Sequence, residues 1–357
     1  MVNHRHQHTA EEGLDLIVMQ QFDPNEKETQ LRLDSESWDT LNLETAHDGD
    51  IPVIDLEDYL SSGSEPALQA AADQLLHACT EVGFYCLTGH GITQEQIDNA
   101  FTQARRFLDL PLETRMSLKM DRPGWPVGGV GYLPFQNRKL PARNKGNANE
   151  AFIIKRELGP RGVSLDKNQW PREQDLPGFR RQVENYATEV EGLAMKLLPI
   201  YARALGMANN FFEPAFKSPI YRLRMTKYAP VNQDEDTSFG IAPHVDSTFI
   251  TILAQDSEGL VIYSERRKCW IKAPLIKNAF IINTGELLKQ WSNDYFISVK
   301  HFANNNKSGQ PRYSIPFFFN ATADYPMECI PSCCSDTRPA KYPPVSYLES
   351  QSVVQGE

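Results

Sequence analysis

Apolar residues in the first half of the chain recur at helical spacing, and those in the second half alternate as in strands. Leu68, Ala72, Leu75, Cys79 and Val82 form one stripe of a 3.6-residue helix, with Gly83 placed to stop it. Phe84-Tyr85-Cys86-Leu87 then reads as a short buried strand, and Gly89-His90-Gly91 as a turn in which His90 is expected to bond backbone. Thr93 followed by Gln96 is a capping-box pattern. It opens a helix with Ile97, Phe101, Ala104 and Leu108 on one face and Pro111 beyond its end. Phe179, Val183, Tyr186, Val190, Leu193 and Leu197 mark a longer amphipathic helix, which Pro199 is expected to kink or end.

After Phe216 the texture changes to short β runs over residues 221–228, 244–254, 259–263, 270–272, 279–283, 295–302 and 313–320. Between them the only helical pattern is Glu286–Trp291, so the second half predicts a sandwich or barrel. The chain divides into a polar extension (1–49, partly mobile, order beginning at Ile51), a helical region (50–215), a β core (216–322) and an irregular Pro-rich tail (323–357). His4, His6 and His8 read as part of an exposed tail. Residues 123–149 are rich in Gly, Pro and Asn and too long for a bare connection, which makes them a candidate lid. Gly128-Gly129-Val130-Gly131 inside it lacks the Lys-Ser/Thr of a phosphate loop.

Composition narrows the class. A 357-residue chain with 41% hydrophobic residues can bury a large core. A net charge of −10 argues against nucleic-acid or anionic-membrane partners. No apolar run approaches the ~20 residues of a membrane-spanning helix, and Met1 to Leu14 lacks the apolar stretch of a signal peptide. The 6 cysteines show neither zinc spacing nor a secreted disulfide framework. A cytoplasmic protein with free thiols, a monomer or weak homo-oligomer, is expected.

The chemistry centres on His244-Val245-Asp246. Side chains alternate along a strand, so His244 and Asp246 would share one face and supply two-thirds of a facial triad for non-haem iron. His301, the only histidine after Asp246, is the candidate third ligand. Arg312 and Ser314 make another polar i, i+2 pair ahead of an apolar run. Ile315 and Phe317 beside them suit either a substrate pocket or the core, and Trp270 and Trp291 read as core.

From about Ile51 to Cys333 the chain resembles the isopenicillin N synthase-like Fe(II)- and 2-oxoglutarate-dependent dioxygenases. The residues that carry the likeness begin with the segment from Glu81 to Ile92 and Leu223-Arg224-Met225-Thr226-Lys227-Tyr228. They continue with His244-Val245-Asp246, Gly259-Leu260-Val261, Asn283-Thr284-Gly285-Glu286, His301 and Arg312-Tyr313-Ser314. The resemblance implies a mainly β fold with flanking helices around a double-stranded β-helix (jelly-roll) core. It implies Fe(II) on His244, Asp246 and His301, the distal carboxylate of 2-oxoglutarate on Arg312 and Ser314 with Tyr228 nearby, and O2 as oxidant. The substrate would be a small molecule, amino-acid-derived or a natural-product intermediate, that is hydroxylated, desaturated or cyclised with release of succinate and CO2. Thr226 and Phe302 depart from the family pattern, which often has Asn and Arg there. Alternatives are an Fe(II)/O2 oxidase without 2-oxoglutarate, a non-catalytic binding protein on the same fold, and a zinc hydrolase, which would leave Arg312 and Ser314 unexplained.

Overall fold

The computed structural model describes residues 43–120, 129–135, 147–157, 167–231, 239–304 and 306–352. The three N-terminal histidines lie outside them, as do residues 123–128 and 136–146 of the candidate lid. The helical half begins with α1 (Glu57–Ser62) and α2 (Glu65–His77). A π turn over Ala78–Val82 follows, closed by Gly83 at φ 74°. Next come α3 (Gln94–Leu108), opened by the Thr93–Gln96 capping box, and α4 (Leu112–Met116).

The long helix α5 (Phe179–Ala204) contains Pro199 and continues past it. Proline removes one backbone donor and crowds the preceding turn at a cost of roughly 3 kcal/mol. Leu197, Leu198, Ile200 and Tyr201 around it are all buried, and their packing outweighs that cost.

The strands are β1 (Leu43–Thr45), β2 (Val53–Asp55), β3 (Phe84–Thr88), β4 (Gly131–Leu133), β5 (Glu150–Lys155), β6 (Pro219–Tyr228) and β7 (Ile241–His244). Then follow β8 (Ile250–Gln255), β9 (Leu260–Ser264), β10 (Cys269–Lys272), β11 (Phe280–Thr284), β12 (His301–Ala303) and β13 (Arg312–Thr322). The short helix α6 (Glu286–Trp291) follows β11, where the sequence pattern predicts it. One sheet has the order β1-β10-β9-β12-β7 and the other β2-β3-β11-β8-β13-β6-β5-β4. This is the jelly-roll core, a double-stranded β-helix flanked by helices. Order starts earlier than Ile51, because β1 pairs in parallel with β10. Asp50 secures that segment through Arg266 and Arg267 at 2.5 Å each, and Glu44 adds a second partner for Arg267.

The larger sheet has two different faces. Leu223, Met225, Ile252, Ile282, Ile315 and Phe317 join the residues of α2, α3 and α5 in the main hydrophobic core. Ile315 and Phe317 are therefore core residues and do not line the interior. Strand alternation turns Thr226, Tyr228, Arg312 and Ser314 to the other face, and the pairings Arg312↔Tyr228 and Ser314↔Thr226 set them side by side. The tail is irregular up to Ser346, with a short 3₁₀ turn at Pro331–Cys333, and ends in α7 (Tyr347–Ser352). All 6 cysteines are free.

Candidate metal and co-substrate site

His244 ends β7, His301 begins β12, and the two are direct cross-strand partners. Asp246 lies two residues beyond the end of β7, because β8 starts only at Ile250. The expected single strand over 244–254 is thus two strands with a connection between them, and alternation along one strand is not what gathers His244 and Asp246. The connection does it. The Asp246 carbonyl accepts the Glu286 amide at 2.7 Å, and the Thr248 carbonyl accepts that of Leu287 at 3.1 Å. Gly285 permits this approach, since a Cβ there would meet the Thr248 oxygen at 2.0 Å.

Asp246 Oδ1 lies 3.5 Å from His244 Nε2, and Oδ2 lies 3.7 Å from His301 Nε2. One donor atom from each of His244, Asp246 and His301 fits within 4.8 Å, the only such group of three or more found among the described residues. His244 Nδ1 donates to the Ala242 carbonyl at 2.8 Å and His301 Nδ1 to that of Val299 at 3.1 Å. With the proton fixed on Nδ1, each Nε2 lone pair points at the shared centre, as a metal requires. Burial first, and then His244, push the His301 imidazole down to about 4, so it is neutral at pH 7. Burial works to raise the Asp246 carboxyl. His301, His244 and the Asn283 amide overcome that and hold it below the usual carboxylate range. Asn283 Nδ2 donates to Asp246 Oδ2 at 2.9 Å and orients the carboxylate.

Further along the same interior, Arg312 is 4% exposed. Its Nε donates to the Ser257 carbonyl and its Nη2 to Gln255 Oε1, both at 3.2 Å, while Nη1 is buried without a partner among the described residues. Among the described residues no carboxylate forms an ion pair with it. A desolvated guanidinium with an open donor is costly unless an anion completes it. Tyr228 lies under the guanidinium at 4.7 Å, and its hydroxyl meets Ser314 Oγ at 3.2 Å. The buried Thr226 hydroxyl beside Ser314 also lacks a partner among the described residues. Gly259 completes the cradle, because a Cβ there would stand 2.5 Å from Arg312 Nε. An open guanidinium donor with hydroxyls beside it suits a carboxylate.

The structure brings His244, Asp246 and His301 within 4.8 Å of one another, and it sets Arg312, Ser314 and Tyr228 side by side in a second group. Phe302 faces away from His301's side and packs with Trp270, Phe239 and Val261. His90 bonds backbone, accepting from Ile92 N at 3.2 Å on Nδ1 and donating from Nε2 to Asn278 O at 3.1 Å. Sequence reasoning gave no role to Asn283, Gln255, Ser257 or Gly259. Asn283 and Gly259 stand inside quoted motifs, which was the available signal. The roles of Gln255 and Ser257 depend on where β8 ends against Arg312.

Comparison with known proteins agrees with this geometry. Residues 51–173 match the model described as non-haem dioxygenase in morphine synthesis N-terminal, and residues 219–321 match the 2OG-Fe(II) oxygenase superfamily. The 2-oxoglutarate-Fe(II) type oxidoreductase hxnY of Emericella nidulans is 30% identical over 307 residues, covering 83% of this chain and 86% of that protein. Azadirone synthase LFS of Melia azedarach is 32% identical over 295 residues, covering 78% and 86%. The crystal structure of a full-length Neurospora crassa protein in complex with alpha-KG and thymine superposes with a TM-score of 0.75 at 26% identity, covering 87% of this chain and 98% of that one.

Proposed function

The chain belongs to the 2OG-Fe(II) oxygenase superfamily, and from that premise we propose that it oxidises an unactivated C–H bond of a small metabolite. It is an oxidoreductase that uses Fe(II), 2-oxoglutarate and O2. In this reading His244, Asp246 and His301 hold the metal, and Arg312, Ser314 and Tyr228 seat the distal carboxylate of 2-oxoglutarate. The substrate is an amino-acid-derived or natural-product intermediate, and hydroxylation, desaturation and oxidative cyclisation share the same first step. The Neurospora crassa protein, by its description, binds thymine, and azadirone synthase is named for its product, so small organic substrates occur among similar proteins.

The observation that carries the reading is the open, buried Nη1 of Arg312 on the same interior as three converging donor atoms. When bound, iron with 2-oxoglutarate and O2 supplies the oxidising power, with release of succinate and CO2. The protein's part is placement. Two imidazoles held in one tautomer and a carboxylate steered by Asn283 would hold the metal through His244, His301 and Asp246. Arg312 and the Ser314–Tyr228 hydroxyl pair set the depth at which a dicarboxylate stops. Burial of Asp246 and His301 keeps bulk water from competing for the ligand positions.

Oxygen uptake by Fe(II)-loaded enzyme tests this against a panel of amino acids and small natural-product intermediates. Uptake should require both Fe(II) and 2-oxoglutarate, and one succinate should form per oxidised product. Product without succinate would instead support the oxidase alternative, in which Arg312 anchors a substrate carboxylate.

A further inference from the structure

Arg312 is held from the protein side by Gln255, the last residue of β8, and by Ser257 just beyond it. Gln255 Oε1 takes its Nη2 and the Ser257 carbonyl takes its Nε, each at 3.2 Å. Asp256, between them, points the other way. Its Oδ1 accepts the Tyr313 amide at 2.9 Å and the Ser257 hydroxyl at 3.0 Å, and its own amide donates to the Tyr313 carbonyl at 3.2 Å. Its Oδ2 accepts Arg105 Nη2 from α3 at 2.8 Å, and that guanidinium lies 5.0 Å over the Tyr313 ring. A single carboxylate thus ties the residue after Arg312, the residue whose carbonyl holds Arg312, and a helix outside the barrel.

We propose that Asp256 is a positioning residue for 2-oxoglutarate. It fixes the start of β13 and the Ser257 carbonyl together, so that Arg312 Nη1 is presented at one depth, and Arg105 links that depth to α3. The inference rests on Arg312 being the co-substrate seat. As an ion pair alone, Arg105–Asp256 would matter little, because the arginine side chain is 44% exposed. The carboxylate matters because its Oδ1 takes both the Tyr313 amide, next to Arg312, and the hydroxyl of Ser257, whose carbonyl holds Arg312.

The test is direct binding of 2-oxoglutarate by calorimetry to the full chain loaded with Mn(II), which binds without turnover, together with steady-state kinetics. Asp256→Ala should weaken 2-oxoglutarate about 10-fold, the scale of one lost orienting hydrogen bond. Its Mn(II) affinity and its kcat at saturating 2-oxoglutarate should stay within about 2-fold. Asp256→Asn retains an oxygen for Tyr313 N and should recover most of the affinity; it also serves if the alanine variant folds poorly. A purely structural role would lower thermal stability and leave the 2-oxoglutarate affinity of the folded protein unchanged. Wild-type 2-oxoglutarate affinity in Asp256→Ala, or an equal loss of Mn(II) affinity, overturns the proposal. Arg312→Leu measured alongside separates the two levels. If it too leaves 2-oxoglutarate binding intact, the seat itself is wrong; if it weakens binding while Asp256→Ala does not, only the positioning role fails.

Discussion

Replacing Arg312 by leucine removes a buried cation whose Nη1 has no partner among the described residues and which is the proposed seat of the co-substrate. Nε and one N–H of Nη2 are given to Ser257 and Gln255. Both N–H of Nη1 and the second N–H of Nη2 remain, supplemented by the Ser314 and Tyr228 hydroxyls. Truncating one partner of a desolvated charge pair costs about 2–5 kcal/mol. That is roughly 30- to several-thousand-fold in affinity. Calorimetric titration of 2-oxoglutarate into Mn(II)-loaded Arg312→Leu reads this directly, and the KM for 2-oxoglutarate should rise by a similar factor. Mn(II) affinity should be unchanged, since Arg312 touches none of the three metal-binding side chains. Arg312→Lys should fall between, because an ammonium keeps the charge but cannot serve Gln255, Ser257 and the ligand in the same plane. A change in 2-oxoglutarate affinity smaller than about threefold would refute the assignment.

Other expectations follow from single contacts. Gly259→Ala places a Cβ 2.5 Å from Arg312 Nε, so it should raise the KM for 2-oxoglutarate while sparing metal binding; an unchanged KM would show that the cradle tolerates a methyl group. Asn283→Ala deprives Asp246 of its orienting amide and should lower metal affinity about 10- to 100-fold in a folded protein. A Mn(II) titration that matches wild type would contradict it. Metal-free protein should lose stability in mild acid, because His301 titrates near 4 when folded and near 6.5 when unfolded. The unfolded chain therefore binds the proton first, and up to about 3 kcal/mol, complete above pH 6.5, drains away as the pH falls toward 4. Urea midpoints of the metal-free protein from pH 7.5 to 4.5 should fall accordingly, and a flat series would count against a neutral, buried His301.

Much of this architecture is legible in the sequence wherever burial imposes a period. The stripes of α2, α3 and α5 and the alternation along β6 and β13 could be read because one face of each meets the core. Features that depend on distant partners could not. β1 is polar and exists only because β10 offers it an edge and Arg267 an ion partner. The break after His244 is set by the backbone bonds to Glu286 and Leu287, which no local pattern announces. Pro199 carried a strong local signal for a helix end that tertiary packing overrides. At the site, the six candidate residues could be found because their chemistry is unusual and their motifs are familiar. The groups that hold them, Asn283 on Asp246 and Gln255 and Ser257 on Arg312, are ordinary polar residues whose role is a matter of distance alone.

The central claim is that one interior holds a metal on His244, Asp246 and His301 and a dicarboxylate on Arg312. Diffraction from crystals grown without oxygen in Fe(II) and 2-oxoglutarate, recorded at the iron edge, tests it most directly. One anomalous peak should stand about 2.2 Å from both Nε2 atoms and an Asp246 oxygen, with the distal carboxylate of 2-oxoglutarate against Arg312 Nη1. A peak away from those three side chains, or a 2-oxoglutarate carboxylate that leaves Nη1 uncovered, would contradict it.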